Sequence, residues 1–194
     1  MPPTEKKRRQ RARAEPRRSS FRLYTIGHST HTIAELVALL QQAGVELLVD
    51  VRAFPRSRTN PQFNEDTLPG SLAAVGIGYR HLVALGGRRH RSREALPSPN
   101  TLWRNQSFRN YADYTATEAF RAALDELRSL MRERCCAIMC SEAVWWRCHR
   151  RIIADYLLAE GIPVGHIMGI DNIQAASLTP GACRLPGGTL VYPG

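Results

Sequence analysis

The sequence predicts an α/β fold: a single Rossmann-like domain over residues 21–194, built on a doubly wound, mostly parallel sheet. Short apolar runs with β-prone residues alternate along the chain with stretches whose apolar residues recur at helical spacing. The strand-like runs are almost continuously apolar, which is typical of parallel strands that are buried on both faces. A chain of 194 residues is also long enough to bury one core of this kind.

The first part of the predicted domain has a strand, helix, strand pattern. Leu23–Ile26 is a short β-prone run that ends at Gly27. Thr32 is a suitable cap for a helix whose apolar residues keep helical spacing as far as Gly44. The nearly continuous apolar run at 45–51 then predicts a second strand. This pattern is the usual opening of a parallel sheet.

The same alternation continues along the chain. Pro163 stands near the start of the fifth predicted strand and places it at an edge of the sheet, because proline cannot donate to a strand ladder. The basic, proline-containing stretch 88–105 is predicted to be a long surface loop of the kind that often covers a site. The other predicted elements are a short helix at 64–74, a strand at 76–82, helices at 108–114 and 117–133, a strand at 136–139, a helix from His149 to Gly161, a strand at 162–168 and a last β segment at 189–192.

Positive charge is concentrated before the predicted domain. The chain has a net charge of +10, and residues 1–18 supply +6 of it through eight basic and two acidic residues. Residues 1–20 have almost no apolar side chains, so we expect a disordered basic arm. Such an arm is either a solvated tail or a source of salt-sensitive affinity for polyanions.

Some classes of protein are disfavoured by the composition. The chain has neither a signal-like apolar segment nor a run of about 18 apolar residues for a membrane span, so we expect a soluble cytoplasmic protein without a membrane partner. It contains five cysteines, and an odd number without a secretory signal argues against a disulfide framework.

Polar residues follow four of the predicted strands. Because the carboxyl ends of parallel strands meet at one edge of a doubly wound sheet, where ligands bind, we expect these residues to gather there. This convergence is the main indication of function in the sequence. The residues are Gly27, His28 and Ser29 after the first strand, Asp50 and Arg52 after the second, Gly86 and Gly87 after the third, and Cys140 and Glu142 after the fourth.

Glu142, Asp50 and Cys140 are the candidate catalytic residues. Two nearby tryptophans are expected to desolvate Glu142 and raise its pKa toward that of a useful acid or base, although capping or a salt bridge is the alternative. Asp50 closes a buried strand and should pair with Arg52, either as a structural ion pair or as part of a substrate contact. Cys140 would shape the pocket or react.

Cys148, His149 and Arg150 stand at the start of a predicted helix, where backbone N–H groups favour anions. Successive helical residues point about 100° apart, so the three cannot all face one ligand. His149 and Arg150 are the candidate anion-binding residues, and Cys148 is expected to be a buried helix residue. The spacing of Cys140, Cys148 and His149 matches no common zinc pattern, so no metal ligand and no required cofactor are assigned.

A group of arginines with interleaved aromatic residues favours binding of phosphate and stacking of bases, with a solvated basic face as the alternative. Arg52 and Arg58 are the candidate phosphate contacts within this group. Its members are Arg52, Arg56, Arg58, Arg88, Arg89 and Arg91, with Phe54, Phe63 and Trp103.

Several short segments are shared with one known family. They are Thr25-Ile26-Gly27-His28-Ser29, Asp50-Val51-Arg52, Pro55-Arg56-Ser57-Arg58, Asn60-Pro61-Gln62-Phe63, Leu85-Gly86-Gly87, Asn105, Phe108-Arg109, Tyr111-Ala112-Asp113-Tyr114, Met139-Cys140-Ser141-Glu142 and Cys148-His149-Arg150. Together they resemble the domain-of-unknown-function family 488, from about Leu23 to Tyr192. The resemblance implies a Rossmann-like α/β domain with these motifs at the sheet edge, and it adds Tyr111 to the expected substrate-binding residues. Two departures are the arm before Phe21 and the stretch Asn172–Ser177, which lacks the expected basic or histidine residues.

A carboxylate among cationic groups predicts an enzyme, a hydrolase or group transferase that acts on a nucleotide or on DNA or RNA. Glu142 would be the acid, base or nucleophile, and Asp50 would assist it. The phosphate would be held by His28, Ser29, Arg52, Arg58 and Arg150. The alternatives are a non-catalytic nucleic-acid-binding module and a metal- or redox-sensing protein that uses Cys140, Cys148 and His149.

Overall fold

The computed structural model describes residues 21–90 and 96–194. The predicted basic arm at 1–20 and Arg91 in the predicted surface loop lie outside the described residues. The described parts of the 88–105 stretch contain neither helix nor strand, as a loop requires.

The main sheet has six strands in the order β3-β2-β4-β1-β5-β6. Neighbouring strands from β3 to β5 are parallel, and only β6 runs antiparallel to its neighbour. The strands are β1 (Leu23–Gly27), β2 (Leu47–Asp50), β3 (Gly78–His81), β4 (Cys136–Cys140), β5 (Val164–Gly169) and β6 (Asn172–Ala175), and β7 (Cys183–Arg184) pairs with β8 (Leu190–Val191) in a separate ribbon.

Helices cover both faces of the sheet. Alternate residues of β2 show this arrangement, because Leu47 and Val49 belong to one apolar core while Leu48 belongs to the other. Connections that lead toward the β3 end of the sheet and connections that lead toward the β5 end carry their helices on opposite faces, which confirms the predicted doubly wound fold in a single domain. The helices are α1 (Ile33–Gln42) and α2 (Leu68–Ala73) on one face, and α3 (Gln106–Tyr114), α4 (Glu118–Glu133) and α5 (Arg150–Leu158) on the other.

Two of the predicted helix starts have the expected caps. The Thr32 hydroxyl accepts a hydrogen bond from the backbone N–H of Glu35, whose carboxylate accepts one from the N–H of Thr32. The Thr117 hydroxyl caps α4 by accepting a hydrogen bond from the backbone N–H of Phe120.

The predicted edge position of the fifth strand is wrong. β6 pairs with the outer side of β5, so β5 has a neighbour on each side. Pro163 precedes the first residue of β5, where its missing N–H costs no ladder hydrogen bond. β6 has only four residues, and three of them are exposed, so it is a short exposed edge that does not stand out in the sequence.

No helix among residues 21–90 and 96–194 is long and apolar enough to cross a membrane.

Gly27 permits a close approach between β1 and the segment that follows β4. A Cβ atom at this position would lie 1.9 Å from the carbonyl oxygen of Glu142. We therefore expect Gly27→Ala to lower the free energy of unfolding by about 1–3 kcal/mol or more, measured by urea denaturation.

Gly70→Ala is the matched control, because Gly70 lies within α2 and a Cβ there would meet nothing within 4 Å. This variant should gain about 0.5–1 kcal/mol from the better helix propensity of alanine. Equal unfolding free energies for the two variants would contradict the proposed close contact.

A candidate active-site cavity at the carboxyl edge of the sheet

A cavity of about 660 Å³ opens at the carboxyl ends of β1, β2 and β4. Parallel strands bring together residues that are far apart in sequence, so the predicted convergence of polar groups is present in the structure. The candidate residues on its wall are His28, Ser29, Arg52, Gly87, Cys140, Glu142 and His149. The wall also includes Thr30, Ala53, Phe54, Arg56, Ser57, Asn60, Arg88, Ser107, Phe108, Ser141 and Arg147.

Asp50 and Arg52 form a buried ion pair beneath the cavity. The Arg52 Nη2 atom donates to the Asp50 carboxylate over 2.5 Å and to the carbonyl oxygen of Phe63 over 2.6 Å. The Asp50 carboxylate also accepts hydrogen bonds from the Arg52 backbone N–H, from Arg52 Nε and from the Tyr79 hydroxyl. Asp50 is fully buried and does not line the cavity, so any assistance to catalysis would act through Arg52.

His28 is held in one tautomer by its two neighbours. Its Nδ1–H donates to the Ser29 carbonyl oxygen at 3.0 Å, and its Nε2 accepts from Arg52 Nη1 at 3.3 Å. The ring also stacks on Phe63, with 4.3 Å between centroids. Burial, followed by the charge of Arg52, lowers the pKa of His28 to about 4. His28 therefore positions Arg52 as a neutral imidazole and does not supply the positive charge for the predicted anion contact.

The segments after β1 and β4 are joined through their backbones. The N–H groups of His28 and Ser29 donate to the carbonyl oxygens of Cys140 and Ser141 at 2.9 and 3.0 Å. Ser29 has a φ of 45°, which is uncommon for a residue with a side chain. This tight connection places the Ser29 and Ser141 side chains on the same cavity wall.

Cys140, Cys148 and His149 form a cluster beside the cavity. The Nδ1 atom of His149 lies 3.9 Å from Cys140 Sγ and 3.6 Å from Cys148 Sγ. The other ring nitrogen, Nε2, donates to the Val51 carbonyl oxygen at 3.0 Å, so it carries the proton. In the neutral ring Nδ1 is then the acceptor nitrogen, and it faces both sulfur atoms.

The two thiols of the cluster differ in acidity. The hydrogen bond with Cys148, followed by burial, raises the pKa of Cys140 to about 12. Burial opposes ionisation of Cys148, but the hydrogen bond with Cys140 and the charge of Arg150 lower its pKa to about 6. Only Cys140 of this pair lines the cavity.

Arg150 is buried behind the wall and is not the anion clamp that the sequence predicts. Its guanidinium donates to the Glu142 carbonyl oxygen at 2.6 Å and to Cys148 Sγ at 3.2 Å. It is 1 % exposed and does not line the cavity. The helix turn directs it inward, so it fixes the position of the wall from behind.

Glu142 is exposed, so the predicted desolvation by the tryptophans is wrong. Trp145 stacks instead on His166, with centroids 4.4 Å apart, and Trp146 packs edge-on against Trp145. Within residues 21–90 and 96–194, the Glu142 carboxylate has no hydrogen bond or ion pair. Glu142 is therefore available to a ligand, at a position fixed through its backbone.

The remaining predicted site residues do not reach the cavity. Arg58 is exposed elsewhere, and Tyr111 is fully buried with its hydroxyl donating to the Leu85 carbonyl oxygen. Tyr111 contacts His149 edge-on at 4.9 Å and so supports that ring. The glycines at 27 and 86 act through close backbone approaches, to Glu142 and to Ala53.

Arg147 was missed by reasoning from the sequence, although it lies in the dense stretch 140–150. Arg147 ends a short 3₁₀ turn at Trp145–Arg147, and its exposed side chain lies on the cavity wall. Strand and helix periodicity do not predict such a turn. Arg56 and Arg88 also line the cavity, while the sequence favoured Arg58 from the same basic group.

The comparisons with known proteins identify a family and leave the reaction open. A family model described as "Domain of unknown function DUF488" matches residues 32–157, which is more than half of the chain. No curated protein and no solved structure matches the chain.

We expect the fold to lose stability in mild acid because two histidines are buried as neutral rings. Burial, followed by nearby arginines, lowers the pKa of His28 and of His166 to about 4, whereas each would be about 6.5 when unfolded. Unfolding therefore takes up protons between these values. The stability that depends on the two neutral histidines is complete above about pH 6.5 and declines as the pH falls toward 4.

The measurement is the thermal unfolding midpoint between pH 7 and 5, where most carboxylates stay ionised. A His28→Gln, His166→Gln double variant should show a flatter decline than the wild type. Parallel curves for the two proteins would show that the rings are not buried in neutral form.

Proposed function

This chain belongs to the DUF488 family, and we propose that it is an enzyme, a hydrolase or group transferase, that acts on a nucleotide or nucleic acid in the cavity at the sheet edge. The family name assigns no reaction, so the support comes from the cavity. A cytoplasmic location is part of the same proposal.

The observation that carries the proposal is the set of charged groups on the wall. The Glu142 carboxylate and the Arg147 guanidinium have no hydrogen bond or ion pair within the described part of the chain. Arg88 is exposed on the same wall, where its guanidinium lies over the Phe54 ring at 5.8 Å. Guanidinium groups favour phosphate through bidentate hydrogen bonds, and a carboxylate beside them can transfer a proton or attack.

Aromatic rings on the wall suit a flat base. Phe54 is 68 % exposed, a high value for a large apolar side chain, and it lines the cavity beside Arg88. Phe108 also lines the cavity and is held in place by stacking on Trp103, with centroids 5.0 Å apart. Aromatic rings bind bases by stacking, and the cavity volume of about 660 Å³ is in the range of small-molecule sites.

The residues take the following roles in this proposal. Arg88 and Arg147 hold phosphate from two different loops, and Arg52, whose charge is paired with Asp50, lines the floor of the cavity. Glu142 acts on the bound substrate as acid, base or nucleophile. Asp50 and His28 keep Arg52 in position. Cys140 shapes the wall next to the reacting group.

We expect Glu142→Gln to abolish turnover while leaving ligand affinity within about tenfold, because the amide keeps the shape but cannot transfer a proton or attack. A thermal-shift screen of nucleotides, nucleosides, sugar phosphates and short oligonucleotides comes first; a ligand at about a hundredfold its Kd adds ~2.7 kcal/mol of stability. Hits are then incubated with the enzyme, and products are measured by chromatography.

Glu133→Gln is the control for this experiment, since Glu133 is exposed at the end of α4 and does not line the cavity. It should bind and turn over like the wild type. A Glu142→Gln protein with full turnover would refute the catalytic role. Stabilisation by oligonucleotides alone, lost on deletion of residues 1–18, would favour the non-catalytic binding module.

Arg147→Ala should weaken binding of a phosphate-bearing hit by about tenfold, or ~1.4 kcal/mol, and leave the matching nucleoside unaffected. The reason is that only the phosphate contacts the guanidinium. Binding is measured by calorimetry at two salt concentrations. Arg132→Ala, an exposed arginine in the last turn of α4, is the control and should change neither affinity. An equal loss for nucleoside and nucleotide would contradict the phosphate contact.

A further inference from the structure

Three soft donor atoms from two segments meet beside the cavity, and we propose that Cys140, Cys148 and His149 bind a divalent transition-metal ion, zinc first among them, with the fourth position open to the cavity. The inference goes beyond the proposed function and does not depend on the substrate class. The nearest alternative is a reversible disulfide between the two cysteines, which the experiment below distinguishes.

The distances between the donor atoms suit a tetrahedral ion. All three atoms lie within 4.8 Å of one another, and His149 Nδ1 is 3.6 and 3.9 Å from the two sulfurs. Zinc with Zn–S near 2.3 Å and Zn–N near 2.0–2.1 Å places a sulfur and a nitrogen about 3.6 Å apart. A small inward movement of side chains is therefore enough to coordinate the ion.

The orientation of the imidazole is the second support. His149 Nε2 donates to the Val51 carbonyl oxygen, which leaves the Nδ1 lone pair directed toward both sulfurs. Metal-binding histidines usually donate their other N–H to such an acceptor. A disulfide makes no use of this lone pair, which is why the arrangement favours a metal.

Gly87 adds a steric reason for the same orientation. A Cβ atom at this position would lie 2.4 Å from His149 Nδ1, so a side chain would displace the ring. Because glycine has no side chain, the His149 ring can lie against the backbone at position 87 with Nδ1 in its observed place.

The charge behind the cluster is the third support. The Arg150 guanidinium is buried and has no carboxylate within ion-pair distance among residues 21–90 and 96–194. A buried cation without a counterion is costly, and the sulfur that accepts its hydrogen bond, Cys148 Sγ, is the group that can carry the negative charge. Thiolate is the form of cysteine that binds metals.

The open position follows from which ligands reach the cavity. Cys140 and His149 line the wall, whereas Cys148 is buried behind them. Three protein ligands and one accessible position are typical of catalytic zinc sites. On binding, the Cys140 thiol releases its proton to solvent and both sulfurs coordinate as thiolates. A bound ion would polarise a substrate oxygen or a water molecule near Glu142.

The test is titration of the metal-free, fully reduced protein with Co²⁺ and then with Zn²⁺ in competition with a chromophoric chelator. We expect one ion per chain, a thiolate-to-cobalt charge-transfer band, and visible bands of tetrahedral intensity. Cys140→Ser and His149→Gln should each weaken binding by at least about 100-fold. His149→Gln retains an N–H donor for Val51, which limits damage to the fold. Cys183→Ser, an exposed cysteine outside the cluster, should bind like the wild type.

Several outcomes would overturn the proposal. They are the absence of a charge-transfer band, equal affinities for the wild type and the two ligand variants, and a Cys140–Cys148 disulfide formed by mild oxidants in a protein that binds no metal. The spectroscopic readout needs no substrate, so its failure is separate from failure of the nucleotide screen. A cobalt site together with an empty nucleotide screen would support the metal site and reject the proposed substrate class.

Discussion

The buried guanidinium of Arg150 is the constraint on which the site depends. A cation removed from water is costly unless each of its donors has a partner, and here the partners are a sulfur and a backbone carbonyl oxygen. The hydrogen bond to Cys148 makes that cysteine the counterion, and the charge of Arg150 acts together with the larger effect of the Cys140 hydrogen bond to lower the pKa of Cys148 against the effect of burial. The hydrogen bond to the Glu142 carbonyl fixes the loop that carries the free carboxylate. One buried charge thus links the chemistry of the cluster to the position of the candidate acid or base.

A second buried guanidinium, Arg52, shows why the choice of partner matters. It is neutralised by the Asp50 carboxylate, which is itself saturated by Tyr79 and by the Arg52 backbone. The ion pair is held by several hydrogen bonds, so it forms a rigid floor for the cavity and leaves no reactive group. Arg150 has a sulfur where Arg52 has a carboxylate, and a sulfur can also react or bind a metal. Both guanidinium groups are buried, but only Arg150 has a partner that can react or bind a metal.

The sequence was a good guide to the elements and to the edge where polar groups meet, because both follow from periodicity and from the rule for parallel strands. Its errors have local causes. The edge position assigned to the fifth strand failed because β6, with four residues, is too short to be recognised as a strand. The inward direction of Arg150 is set at the start of α5, and Glu142 lies in the irregular segment before the 3₁₀ turn at Trp145–Arg147; strand and helix periodicity describes neither position. The spacing of Cys140, Cys148 and His149 matches no common metal-binding pattern, so it did not indicate that the three side chains meet. They meet because the loop between β4 and α5 folds back toward the end of β4.

The charge balance of the cavity joins these features. Its wall carries the guanidinium groups of Arg88 and Arg147, which have no carboxylate partner among residues 21–90 and 96–194, against the carboxylate of Glu142, so without a ligand it has an excess of positive charge. A phosphate group would offset that excess, and a low-dielectric wall strengthens the attraction. A divalent ion at the cluster brings two positive charges and displaces one proton from Cys140, because Cys148 is already the counterion of Arg150, so metal binding makes the wall more positive by one charge. An anionic substrate and a bound metal are therefore electrostatically compatible in this cavity, and each can be tested without the other.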